Sequence, residues 1–223
     1  MTDQRAFRTK VLLFLFCVFL ALVALPIAWQ FVSTLHQLDA IENHRDQWQR
    51  PAEILTALGL HEGSRVVDLG CGSGYFALKL STAVGPRGQV LAEDIREWPL
   101  TFLRVRAALR HDGNIDIITG TEDNPKLPTG SVDATLISNT FHELDHPAAI
   151  LAHIRRALRP LGLLVVLDRG PPIGDRDIEH HHIARALAES QIRAAGFEVI
   201  DRHDRFIDRP GDDTWWIIVA RRP

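Results

Sequence analysis

An aspartate and three alternating glycines, Asp68-Leu69-Gly70-Cys71-Gly72-Ser73-Gly74, follow a short apolar run and lead into a helix start at Tyr75. Glycine has no Cβ, so a turn built this way lets the backbone close on a ligand that other side chains would hold away. The spacing differs from the G-x-G-x-x-G of dinucleotide sites, where a pyrophosphate sits at the helix N-terminus. An acid two residues ahead of the first glycine would repel a pyrophosphate. The turn therefore suits a cationic ligand. Cys71, inside it, reads as a small residue in a crowded loop rather than a nucleophile.

This turn resembles motif I of the class I S-adenosylmethionine-dependent methyltransferases, whose cofactor carries an ammonium group and a sulfonium. The resemblance implies S-adenosylmethionine as cofactor, methyl transfer as the activity, and Asp68, Gly70, Gly72 and Gly74 as cofactor-binding residues. A second strand over 89–92 leads into Glu93-Asp94, about twenty residues on, where a carboxylate accepts ribose hydroxyls. Asp94 is preferred, because neighbouring strand residues point to opposite faces. The segment Asp123-Asn124-Pro125-Lys126-Leu127-Pro128 resembles the family's loop in which an acid precedes a Leu-Pro pair, which implies that Asp123 meets the adenine amino group.

The strand over 132–138 ends in Asn139-Thr140-Phe141-His142-Glu143, on the side of a doubly wound sheet where ligands bind. Asn139 joins the cofactor set. Histidine is the side chain that ordinarily titrates near neutrality, so His142 is the candidate catalytic base or, equally, a residue that shapes the loop; Glu143 is the second catalytic candidate, placed to orient it or else to begin a helix. The run His180-His181-His182 points three ways if helical, about 100° apart per residue, so no metal site is expected, and His182 is left as a possible pocket-lining residue.

The elements that position these residues alternate strand and helix. Helices are expected over 46–60, 75–83, 98–110, 147–158 and 178–195, and strands over 66–69, 89–92, 115–119, 132–138 and 163–167, with a C-terminal hairpin of strands 197–207 and 214–220. The resemblance, which covers residue 46 to the end, implies an α/β fold: the Rossmann-like seven-stranded methyltransferase sheet with its last strand antiparallel. Arg45-Asp46-x-Trp48-Gln49-x-Pro51 and Asn139-x-x-His142-Glu143 are similar to a bacterial group within the class, and Leu161 stands where the family has a glycine.

The composition limits the partners. The 223 residues carry a net charge of −3 and no basic run, which disfavours nucleic acid and leaves a small-molecule acceptor, lipidic ones included. Two cysteines, Cys17 and Cys71, offer no disulfide framework. Residues 11–38 contain no Asp, Glu, Lys or Arg, and the apolar stretch is about the ~20 residues that cross a bilayer. The expectation is residues 1–38 as a single-pass anchor, with a cleaved signal as the alternative, followed by a methyltransferase domain over 39–223. Arg5, Arg8 and Lys10 favour a periplasmic domain, whereas the cofactor favours the cytoplasm. A second reading of the whole chain is a cofactor-binding protein that keeps the fold without turnover.

Overall fold

A computed structural model describes residues 2–170, 182–209 and 214–223. It divides into two compact units, Met1–His44 and Arg45–Pro223. The first is essentially one helix, α1 (Thr2–Asp46), with Pro26 inside it. Its stretch Leu12–Asp46 is long and apolar enough to cross a membrane, and Leu13, Phe14, Phe16, Phe19 and Leu22 are exposed along it.

The helix expected over 46–60 is corrected. α1 runs to Asp46, Arg50 takes a left-handed conformation with φ 56°, and a separate short helix, α2 (Pro51–Ala57), begins with its proline in the first turn. The cause is Pro51, which disfavours helical backbone at the residue before it yet is preorganised for a first helical turn.

The second unit is a seven-stranded sheet: β1 (Arg65–Leu69), β2 (Gln89–Asp94), β3 (Ile115–Thr119), β4 (Val132–Ser138), β5 (Leu158–Arg169), β6 (Glu198–Asp208) and β7 (Thr214–Arg221). Their order is β3-β2-β1-β4-β5-β7-β6, with β7 antiparallel to both neighbours. Four helices connect the strands: α3 (Tyr75–Val84), α4 (Glu97–Arg110), α5 (Pro147–Ala157) and α6 (Arg185–Ala194). Alternate residues of each strand feed two cores. Val66, Val90, Ala134 and Val165 join Phe76, Leu80, Leu100 and Leu103 of α3 and α4 on one face. Val67, Leu91, Ile137 and Val166 join Ile150, Ile154, Ala188 and Ile192 of α5 and α6 on the other. Central parallel strands buried on both sides explain why β1 and β4 read as continuous apolar runs.

Two further boundaries differ from expectation. β5 starts at Leu158, directly after α5, and bends through Leu161 in a left-handed conformation with φ 64°, the position where the family has glycine. The helix expected over 178–195 begins only at Arg185; residues 182–184 are not helical, and 178–181 lie outside the described residues. Gly196, with φ 84°, follows its last turn as the helix stop.

The strand order reverses between β2-β1 and β4-β5, so the C-terminal ends of β1 and β4 flank the crevice where open α/β sheets bind ligands.

Candidate functional site

The glycine turn after β1 holds Gly70, Gly72 and Gly74 at φ 71°, 54° and 97°. The three serve different purposes. A Cβ on Gly70 would lie 2.3 Å from Thr140 Cγ2, and one on Gly74 would lie 2.4 Å from Leu103 Cδ1, so these two glycines allow close packing. A Cβ on Gly72 meets nothing within 4 Å, so this glycine leaves an open cradle. Burial pushes the Cys71 thiol up, in keeping with its reading as an inert small residue.

Both acids at the end of β2 reach this turn. The Gly72 N–H donates to Asp94 Oδ2 at 2.9 Å, while Asp94 Oδ1 accepts from the Arg96 N–H at 2.9 Å and from Arg96 Nε at 3.1 Å. Glu93 accepts from the Gly70 N–H, and burial, followed by the neighbouring Asp94 charge, pushes its carboxyl up to about 8. Strand alternation does turn the two side chains to opposite faces, but the crevice lies beyond the strand end, where both faces open onto it. Glu93 and Asp94 therefore line one cleft together with Gly70, Ile95, Thr140 and Glu143.

Asp123 lies beside this cleft, in an adjoining hollow with Gly120 and His146, and its Oδ1 accepts from the Thr121 hydroxyl at 2.8 Å. Its neighbour Glu122 lines both hollows.

Asp68 is buried and accepts from the Ala77 backbone N–H. Burial raises its carboxyl from the ordinary 3.8 to about 7, against the opposing charge of Arg45. Arg45 in turn stacks 3.8 Å over the Tyr75 ring centroid and donates through Nε to Gln49 Oε1 at 2.7 Å. Asp68 Oδ2, Gln49 Nε2 and Trp48 Nε1 are buried with no hydrogen-bond partner among the described residues. A buried polar atom left so costs about 1–3 kcal/mol, so such a group marks a ligand contact or strain. Arg45, Trp48 and Gln49 stand in the sequence as a motif ahead of the glycine turn, and their spacing alone assigns them no role.

On the β4 side, Asn139 is left-handed at φ 57° and its N–H donates to Leu167 O at 2.8 Å. A 3₁₀ turn, Phe141–Glu143, follows. Here the two catalytic candidates separate. The His142 side chain is 1% exposed and is held by Asp168, which accepts from Nδ1 at 2.7 Å and from the His142 backbone N–H at 3.0 Å. Glu143, half exposed, lines the cleft, with Oε1 3.7 Å from His142 Nε2. Asp168, which the sequence did not single out for this, holds the imidazole at Nδ1, while Glu143 stands on the Nε2 side. His180 and His181 lie outside the described residues, and among the described residues no cluster of His, Cys, Asp and Glu has the arrangement of a metal site.

Residues 66–162 match the family model described as a methyltransferase domain. The ubiquinone/menaquinone biosynthesis C-methyltransferase of Pseudomonas putida is 32% identical over 115 residues, 51% of this chain and 45% of that protein. This chain thus spans about half the length of that relative. A crystal structure of an S-adenosylmethionine-dependent methyltransferase from Aquifex aeolicus superposes with a TM-score of 0.72 at 23% identity, covering 86% of this chain and 98% of that one. The phosphoethanolamine N-methyltransferase 2 of Haemonchus contortus, solved with S-adenosyl-L-methionine, superposes with a TM-score of 0.67 at 15% identity over 79% of this chain and 53% of that one. Residues 66–162 thus carry a methyltransferase domain, and with its motif I turn and seven-stranded order the unit Arg45–Pro223 has the fold of the class I S-adenosylmethionine-dependent methyltransferases.

Proposed function

We propose that this protein transfers a methyl group from S-adenosylmethionine to a lipophilic small molecule of the quinol type at a membrane. The observation that carries the cofactor's placement is the set of unfilled groups around the glycine turn. Gly72 leaves a cradle that a Cβ would fill, Asp68 offers a buried carboxylate oxygen, and Gln49 and Trp48 offer N–H donors. A buried carboxylate oxygen and two buried N–H donors are the groups that an ammonium and a carboxylate on one carbon require, and the acids at the end of β2 fit a ribose. The bound cofactor supplies an electrophilic methyl on a sulfonium, so the protein has to orient two reactants and exclude water. Gly70 and Thr140 close the floor of the cleft, Asp94 braces the turn and faces the ribose, Asp123 stands at the adenine end, and Glu143 faces the reacting centre.

The acceptor class rests on two supports. The relative from Pseudomonas putida acts, by its name, in ubiquinone and menaquinone biosynthesis, and α1 is long and apolar enough to hold the domain near a bilayer. Residues 1–38 then act as a single-pass anchor for a catalytic domain over 39–223, on the side where the cofactor is found. The test is calorimetry of the full-length protein in detergent with S-adenosylmethionine and S-adenosylhomocysteine, followed by turnover on reduced short-chain demethylquinones. Binding of both, with S-adenosylhomocysteine formed from S-adenosylmethionine only when the reduced ring is added, supports the proposal. Binding without turnover on any acceptor supports the binding-protein reading.

A further inference from the structure

The structure ties three groups together at the C-terminal ends of β4 and β5 beside the cleft, and their order is not the one their chemistry suggests. Histidine is the usual base, yet His142 is buried to 1% exposure, while Glu143, beside it, is 49% exposed and lines the cleft. Asp168, itself fully buried, takes both N–H groups of His142, at 2.7 and 3.0 Å. A carboxylate on Nδ1 places the ring proton there and leaves Nε2 as the acceptor. Nε2 is the nitrogen nearer Glu143, 3.7 Å from its Oε1, a gap that a rotation of the half-exposed carboxylate closes.

We infer that Glu143 receives the acceptor's proton and His142 stores it, with Asp168 as the positioning residue that sets the imidazole. This rests on the methyl-transfer reading above. In the step, the acceptor atom forms its bond to the methyl carbon as the carbon–sulfur bond breaks, and the sulfonium becomes a neutral thioether. The proton displaced from the acceptor passes to the Glu143 carboxylate and on to His142 Nε2, giving an imidazolium held between two carboxylates. The positive charge lost at sulfur thus reappears on the imidazole, and the charge of the site is conserved through the reaction. Arg96, whose guanidinium feels the Glu143 charge, flanks this line, and the Arg169 backbone N–H donates to Asp168 at 2.7 Å while its guanidinium lies over the Trp215 ring.

The arrangement also defines the acceptor chemically. It serves an atom that must shed a proton on methylation, such as a phenolic or quinol hydroxyl or an activated ring carbon. A thioether or tertiary amine brings no such proton and would gain nothing from it.

The experiment is nitrogen NMR of the full-length protein in detergent micelles, labelled at histidine, with the His142 signal assigned by its loss in His142→Gln. In the ligand-free protein the wild type should show the Nδ1–H form, Asp168→Asn should mix the two ring forms, and Glu143→Gln should move the Nε2 resonance. With S-adenosylmethionine exchanged for S-adenosylhomocysteine, which removes only the positive methyl, Nε2 should move again, and that response should vanish in Glu143→Gln. An Nε2 resonance indifferent to Glu143→Gln in the ligand-free protein overturns the relay, whatever binds in the cleft. Failure of either compound to bind by calorimetry instead counts against the methyl-transfer reading and leaves the ligand-free arm to decide the relay. A wild-type Nε2 that ignores the exchange while both compounds bind confines the triad to holding the loop.

Discussion

Asp94 and Gly72 are joined by a single bond, the Gly72 N–H to Asp94 Oδ2 at 2.9 Å, which ties the acid at the end of β2 to the middle glycine of the turn after β1. The two adjacent parallel strands thereby fix a carboxylate beside the one glycine of the turn that faces open space. Each carboxylate oxygen has a second lone pair, so Asp94 can brace the turn and still accept ribose hydroxyls.

Replacing Asp94 by Ala should weaken S-adenosylmethionine binding by about 1.5–3 kcal/mol, the range for hydrogen bonds to a charged group. Asp94→Asn, which keeps an oxygen for the Gly72 N–H, should lose less. Calorimetry on both variants checks the ordering, and equal affinity for wild type and Asp94→Ala would refute the ribose assignment.

At Gly72, φ 54° strains any L side chain, but the surrounding space is free. Gly72→Ala should therefore fold with a stability loss of about 1–2 kcal/mol, the cost of a left-handed non-glycine residue, and lose cofactor affinity well beyond what thermal melts of the ligand-free protein would suggest. Cofactor binding unchanged in a folded Gly72→Ala or Gly72→Val protein would show that the cradle is not used.

Asp68 and Glu93 have carboxyls raised to about 7 and about 8. The folded protein therefore keeps protons that the unfolded chain has released. The stability they contribute is complete below about pH 4 and is lost as pH rises toward 8. Asp68→Asn and Glu93→Gln should flatten that decline in urea titrations run at several pH values. A cation bound beside Asp68 favours its ionised form, so S-adenosylmethionine affinity should rise from pH 6 to pH 8 and lose most of that rise in Asp68→Asn. Affinity that falls over this range would contradict the placement of the ammonium.

Leu161 is 67% exposed and left-handed, so it carries conformational strain with little burial in return. Leu161→Gly should relieve about 1–2 kcal/mol of that strain and give back part of it, about 0.5–1 kcal/mol, in chain entropy. A small net stabilisation in chemical denaturation is expected, with cofactor binding unaffected.

The parts of the molecule governed by local pattern were legible in the sequence. The apolar runs of β1 and β4 lie between two cores, so their strand character was unambiguous, and the glycine turn announced itself through spacing. What depended on register was not. Asp168 meets His142 because Ser138 pairs with Leu167 across β4 and β5, a juxtaposition over 26 residues that no local pattern encodes. Strand alternation separates Asp94 from Glu93 along β2, yet both reach the cleft because the strand runs out into the crevice. The break at Arg50 was readable in principle, since Pro51 forbids a helix from running straight through.

The anchor reading predicts that the full-length protein sediments with membranes and resists carbonate extraction. A reporter fused after Pro223 would fix the side, with a cytoplasmic signal expected from the cofactor requirement.

The central claim is methyl transfer to a lipophilic acceptor, and the direct measurement uses S-adenosylmethionine labelled in its methyl group. Full-length protein in lipid nanodiscs, given the labelled cofactor and a reduced demethylquinone, should move label into the organic extract in step with S-adenosylhomocysteine formation, and Asp94→Ala should reduce both together. Cofactor that binds tightly while no label leaves the aqueous phase, with any hydroquinone offered, would contradict it.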